Sequence, residues 1–181
     1  MIFNETALPD LYLLEPERRE DSRGFFARIW EPAPLAQRGL SARLAHVSVS
    51  FNRKKGTLRG LHYQAAPMAE VKIVRCIRGA VFDVAVDLRP PSPTFQRWVG
   101  AELTAENGRA LYIPEGFAHG FQTLCDDTEL LYFISQDYSP DHARGARWDD
   151  PAFGIVWPEG TRTMNDRDRT YPDFHAARQG P

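Results

Sequence analysis

Gly56-Thr57-Leu58-Arg59-Gly60-Leu61-His62-Tyr63-Gln64, followed closely by Glu70-Val71-Lys72, sets a guanidinium, an imidazole and an ammonium in a run otherwise made of strand-forming apolar residues. Side chains of that kind normally lie at the surface. Two placements satisfy the pattern. On an edge strand the charges are solvated and carry no chemistry. In a strand pair lining a β-barrel they point into a pocket, where burial tunes their protonation and makes them reactive. The rest of the chain must decide between the two.

Outward from this stretch, the chain reads as strand after strand. His46 to Phe51 alternates Val47, Val49 and Phe51 with Ser48 and Ser50, a period of two. Val71 to Ile77 reads as a strand ended by the turn Arg78-Gly79. Ala80 to Leu88 puts Phe82, Val84, Val86 and Leu88 on one face and Asp83 and Asp87 on the other, the pattern of a half-buried strand. Pro90, Pro91 and Pro93 have no N–H to give a ladder, so 89–94 is a loop. Strand character resumes over 96–103, turns at Glu106-Asn107-Gly108, and continues through 110–113, 120–124 and 129–135. Upstream, Asp21-Ser22-Arg23-Gly24 is a turn, 25–30 an aromatic strand and 33–38 a short helix closed by Gly39. Many short strands divided by turns predict an all-β antiparallel sandwich or barrel rather than βαβ units. Beyond Pro140 periodicity is lost, yet Trp148, Phe153, Ile155 and Trp157 are too apolar for a solvated tail, so this segment is expected to pack over the barrel.

Composition narrows the function. At 181 residues, 43% hydrophobic and 25% charged, the chain is expected to form one globular domain spanning 1–181. A formal charge of -2 supplies no general attraction for nucleic acid or anionic membrane, so an anionic ligand must be held by a local cluster of Arg and Lys. No basic segment followed by an apolar one opens the sequence and no apolar run is long enough to span a bilayer, which makes the cytoplasm the expected location. Cys76 and Cys125 lack metal-site spacing and are expected to be buried free thiols.

Gly108, Pro114, Gly116 and His119 match the second cupin motif, G-x5-P-x-G-x2-H. The first motif is met only in part: Gly56, His62 and Gly79 are present, Gln64 replaces the second histidine, and Glu70 is displaced. Four longer runs are more specific: 21–26 (DSRGFF), 56–64, 114–121 (PEGFAHGF) and 144–151 (RGARWDDP). Together, in this order, they resemble the dTDP-4-dehydrorhamnose 3,5-epimerase family of metal-free cupins over nearly the whole chain. The resemblance implies a cupin jelly-roll barrel with a few short helices and an irregular C-terminal tail. It also implies a homodimer and a nucleotide-sugar substrate, a dTDP-linked 4-keto-6-deoxyhexose, with no metal or redox cofactor.

A hydrogen next to a ketone is weakly acidic, and its removal needs a placed base and stabilisation of the enolate oxygen. His62 suits the base, because an imidazole titrates near neutral pH. The resemblance pairs that histidine with an aspartate of the tail, here Asp168 in preference to Asp166. Lys72 is the candidate for the oxyanion, with Arg59 nearby. Arg59 and His62 have opposite parity in a regular strand, so both face one pocket only if the chain is irregular at Gly60, as a bulge allows. Tyr132 aligns with the family's proton donor and must face wherever Leu130 and Ile134 face. Arg23 resembles the diphosphate-binding arginine, Phe26 a base-stacking ring, and Tyr138, Gln64 and His119 further substrate contacts. Taken singly, His119 reads as a core histidine, Tyr132 as a cross-strand aromatic and Lys72 as a solvated strand lysine. His46, Ser48, Arg28 and Phe133 depart from the family pattern at nucleotide and sugar contacts. Two other readings remain: a metal-dependent cupin enzyme using His62, Glu70 and His119, and a non-catalytic sugar-binding cupin.

Overall fold

The computed structural model describes residues 1–174, so 175–181 of the expected single domain lie outside the described residues. Thirteen strands and two short helices follow in the order β1 (Ile2–Glu5), β2 (Tyr12–Glu15), β3 (Arg19–Asp21), β4 (Gly24–Phe26), α1 (Pro32–Ala36), β5 (His46–Asn52), β6 (Leu58–Gln64), β7 (Lys72–Arg78), β8 (Ala80–Asp87), β9 (Trp98–Thr104), β10 (Ala110–Ile113), β11 (Phe117–Thr123), β12 (Thr128–Ile134), β13 (Ala143–Gly145) and α2 (Asp166–Arg169). A six-stranded sheet runs β1-β2-β10-β7-β12-β5, a five-stranded sheet runs β13-β6-β11-β8-β9, and β3 and β4 form a separate hairpin. Every strand pair is antiparallel, with chain neighbours often on different sheets, the double-sheet arrangement of a jelly roll.

The layer between the sheets holds one apolar cluster, with Val74 and Cys76 from β7, Val81 and Ala85 from β8, Phe117 and Phe121 around β11, and Leu130 from β12. This placement corrects the reading of β8. Its interior face is the one carrying Asp83 and Asp87, both fully buried, while Val84, Val86 and the following Leu88 belong to a second cluster on the outer side. The outer face is dry because the tail covers it: Phe153 and Trp157 are each 7% exposed against it. Burying a Phe-sized side chain is worth roughly 1.5–3 kcal/mol, enough to hold an irregular segment in place. A third cluster, around Leu35 of α1 and Tyr112 of β10, covers the six-stranded sheet.

Other boundaries shift. The aromatic strand expected over 25–30 reduces to the three-residue strand Gly24–Phe26, with Phe25 and Phe26 exposed, because the β3–β4 hairpin joins neither of the larger sheets. β13 has no signal in its sequence and exists because it pairs with β6. Both cysteines are free, as expected, but only Cys76 is buried, which pushes its thiol up to about 12 and leaves it inert; Cys125 is partly exposed. No helix among the described residues is long and apolar enough to cross a membrane.

Candidate active site

The site begins with a bulge. On β11, His119 lies opposite His62 and Phe121 opposite Arg59, so Gly60 and Leu61 of β6 face Gly120 alone. The extra residue brings Arg59 and His62 onto one face, as the sequence required. Only glycine fits at the turn: Gly60 has φ +119, and a Cβ there would lie 2.5 Å from Gly120 Cα and 2.7 Å from the His119 carbonyl oxygen.

The tail supplies the partner of His62. Hydrogen bonds pin Thr163 to Gly56 and Leu58, and α2 follows with Asn165 as its cap, accepting from the Asp168 N–H at 2.7 Å. Asp168 is buried. Its Oδ1 accepts from His62 Nε2 at 2.8 Å and its Oδ2 from the Gly60 N–H at 3.0 Å. Burial works to push the Asp168 carboxyl up, but the hydrogen bond and charge of His62 and the Gly60 N–H outweigh it, and the pKa lies below the usual aspartate value. With the carboxylate ionised, Nε2 carries the hydrogen and Nδ1 keeps a lone pair that can take a proton.

His62 opens on a cavity of about 250 Å³ that also receives Lys72 and Glu70, with Tyr138, Arg144 and Arg167 exposed around its mouth. The Lys72 ammonium is buried, pairing with Glu70 at 2.9 Å and donating to the His62 carbonyl oxygen at 3.3 Å. It is not a solvated strand lysine. Among the described residues, one of its three donors has no partner.

Tyr132 enters from the opposite sheet. It shares a face of β12 with Leu130, in the core, and Ile134, on the cavity wall, so it stands where the dry interior meets the pocket. Its ring is edge-on to His119 at 6.0 Å, and His119 Nε2 bonds buried Asp83 at 2.8 Å. Burial, then the Asp83 charge, pushes the Tyr132 phenol well above its ordinary value, against a smaller opposite pull from Arg59. Tyr132 and His119 are not themselves among the residues lining the cavity that holds His62.

The other expected contacts divide. Arg59 reaches the other sheet, donating to Asn52 Oδ1 at 2.8 Å. Gln64 lies at the cavity, but its amide donates to the Met68 and Asp137 carbonyls and accepts from the Ser139 N–H, so it clamps the loop that carries Tyr138. Arg23 and Phe26 sit on the exposed hairpin, outside the His62 cavity, with Arg23 paired to Asp21 at 2.6 Å. Phe26 lines a separate hollow of about 120 Å³ beside Arg19 and Arg28, which contains no imidazole.

The donors named for a metal do not come together: Glu70 holds Lys72 at 2.9 Å, and no three acidic, His or Cys side chains converge as a metal site among the described residues. Asp83, Arg167 and Tyr171 were not singled out in the sequence. Asp83 had a signal, an acid in an apolar strand; Tyr171, edge-on to His62 at 6.2 Å, had none.

Comparison with known proteins decides the family. Residues 5–176 match the one described as dTDP-4-dehydrorhamnose 3,5-epimerase. The chain belongs to this epimerase family. A dTDP-4-dehydrorhamnose 3,5-epimerase of Sinorhizobium fredii is 43% identical over 175 residues, covering 96% of this chain and 90% of the relative. The epimerase of Bacillus anthracis, solved with TDP and PPi bound, superposes with a TM-score of 0.92 at 40% identity, over 96% of this chain and 99% of that one. A dTDP-4-dehydrorhamnose 3-epimerase of Streptomyces niveus is 40% identical over 157 residues, 86% of this chain and 75% of the relative. The family's jelly-roll frame is thus the one into which His62, Asp168 and Lys72 are built.

Proposed function

We propose that this protein inverts C3, C5 or both of a dTDP-linked 4-keto-6-deoxyhexose, by removing a proton next to the ketone and returning one to the opposite face. The observation that carries the reading is the ionised Asp168 behind His62 at the wall of a cavity shared with Lys72. His62 takes the proton on Nδ1, and Asp168 orients the ring and stabilises the imidazolium. The electron pair of the broken C–H bond moves onto the ketone oxygen, where the spare donor of Lys72 meets the developing charge in a site of low dielectric. Tyr132 gives its phenolic proton to the carbon from the other sheet. A base on one sheet and an acid on the other make inversion, rather than simple exchange, the outcome.

Relatives that act at both centres and at C3 alone stand at similar identity, 43% and 40%. Regiochemistry is read by proton NMR in D2O with dTDP-4-keto-6-deoxyglucose: loss of the H3 signal, the H5 signal or both. His62→Asn lowers this exchange by on the order of 10²–10⁴. Exchange at the wild-type rate in that variant rules out His62 as the base, and no exchange in the wild type leaves a sugar-binding protein without turnover.

The working form in this reading is a cytoplasmic homodimer. Val47, Val49 and Phe51 expose an apolar stripe on edge strand β5, and the β3–β4 hairpin offers Phe25 and Phe26 to solvent. A second copy covering these surfaces places Arg23 and Phe26 at the neighbour's cavity, where a guanidinium and a ring suit a diphosphate and a base.

A further inference from the structure

Helix α2 has four residues and sends two adjacent side chains to different destinations. Asp168 goes inward to His62, and Arg167 goes to the mouth of the cavity. A helix this short does not hold itself. The Thr170 hydroxyl closes its C-terminal end on the Asp166 carbonyl at 2.8 Å, and its position rests on the backbone bonds of Thr163 just ahead of it and on the bonds that Asp168 makes to His62 and Gly60. Arg167 is exposed and shares the mouth with Arg144 and Tyr138. Its Cζ lies 5.7 Å from the centroid of the Tyr171 ring, the ring that stands edge-on to His62. The Tyr138 hydroxyl oxygen, which accepts from the guanidinium, and then the nearby Tyr171 push the Arg167 pKa up, so the group keeps its positive charge.

We propose that Arg167 is a positioning residue: a diphosphate bound at the mouth grips its guanidinium, fixes α2, and thereby holds the Asp168 carboxylate against His62. Binding energy from a part of the substrate that does not react is converted into alignment of the base. This rests on the function proposed above and adds to it a link between nucleotide occupancy and the competence of the dyad. Chain connectivity makes the link short, because the two residues share a peptide bond. A guanidinium suits the task, since its planar donors meet two phosphate oxygens at once and fix direction as well as distance.

The test separates kcat from KM for solvent-deuterium exchange into dTDP-4-keto-6-deoxyglucose. In Arg167→Met, kcat at saturating substrate falls about tenfold or more, and Arg167→Lys recovers most of it. Proton and nitrogen NMR of the His62 ring gives the second readout. Saturating dTDP moves the ring resonances in the wild type, and in Arg167→Met it binds more weakly and leaves them in place at saturation. A rise in KM alone, with kcat within about twofold of wild type, overturns the inference, as do ring resonances that respond equally to dTDP in both proteins. If circular dichroism finds Arg167→Met misfolded, Arg167→Gln takes its place with the same criteria. Absence of exchange in the wild type sinks the proposed function and this inference together. Normal wild-type exchange with an unchanged kcat in the variant sinks this inference alone.

Discussion

Arg59 and His62 stand three positions apart on β6, yet present their side chains to the same side of the sheet, because their partners on β11, Phe121 and His119, are two positions apart. The register slip is local to Gly60. Any residue with a Cβ must there adopt φ near +119 and push against the backbone of His119 and Gly120. Gly60→Ala is therefore expected to cost about 3 kcal/mol or more, since the clash is with backbone and not with a side chain that can swing away. Urea unfolding of the two proteins measures it. A loss below about 1 kcal/mol means that the bulge moves elsewhere at little cost.

Asp168 ties stability to pH. Its carboxyl is held below the usual aspartate value in the folded protein, so its contribution is complete above the unfolded value near 3.9 and is lost as pH falls through the folded one. Asp168→Asn lowers stability at pH 7, and the gap from wild type narrows as the pH drops below about 4. Urea midpoints at pH 7, 5 and 3 give the comparison. A gap that stays constant to pH 3, or widens, contradicts a carboxylate stabilised by His62 and Gly60. The same variant loses exchange activity by roughly 10²–10⁴, because an amide both fails to stabilise an imidazolium and accepts a different tautomer.

Much of this was legible in the residues. The alternation in β5, the turn glycines and the prolines of 89–94 specify strands and breaks locally, and the parity conflict between Arg59 and His62 announced the bulge at Gly60. What could not be read was which face of β8 turns inward. Val84 and Val86 look like a core face, and are buried, but the tail buries them from outside while Asp83 takes the interior to meet His119. Alternation tells one face from the other and not which neighbour covers each. Distance along the chain hid the rest: Tyr171 reaches His62, and Gln64 the backbone of 137–139, through contacts that no periodicity encodes.

Tyr132 is kept neutral by its surroundings. Burial and the Asp83 carboxylate both disfavour the phenolate, so the proton is present throughout the neutral range and beyond pH 10. The difference in ultraviolet phenolate absorbance between wild type and Tyr132→Phe should stay flat up to about pH 10. A donor that is lost while the base remains has a further signature. In D2O, Tyr132→Phe still exchanges the hydrogen that His62 removes but returns it to the same face, giving label without inverted product. Full inversion by this variant excludes Tyr132 as the acid.

Gly145 lies directly opposite His62 in the β13–β6 pairing, and the space where its side chain would stand is filled by Tyr171. A Cβ at this position meets the Tyr171 ring at 2.1 to 2.6 Å, too close for both to stay. The ring belongs to a side chain that can rotate, so Gly145→Ala moves Tyr171 off the edge of His62 at a modest cost in stability, about 1–2 kcal/mol. If that ring holds the imidazole in place, exchange falls between about 10- and 100-fold, because small misplacements of a base are expensive. Tyr171→Ala should then fall by a similar factor, and the double variant should be no worse than either, since both changes remove one contact. Additive losses would mean that Gly145 acts through β13 itself, and full activity in Gly145→Ala would mean that Tyr171 is packing with no part in setting the dyad.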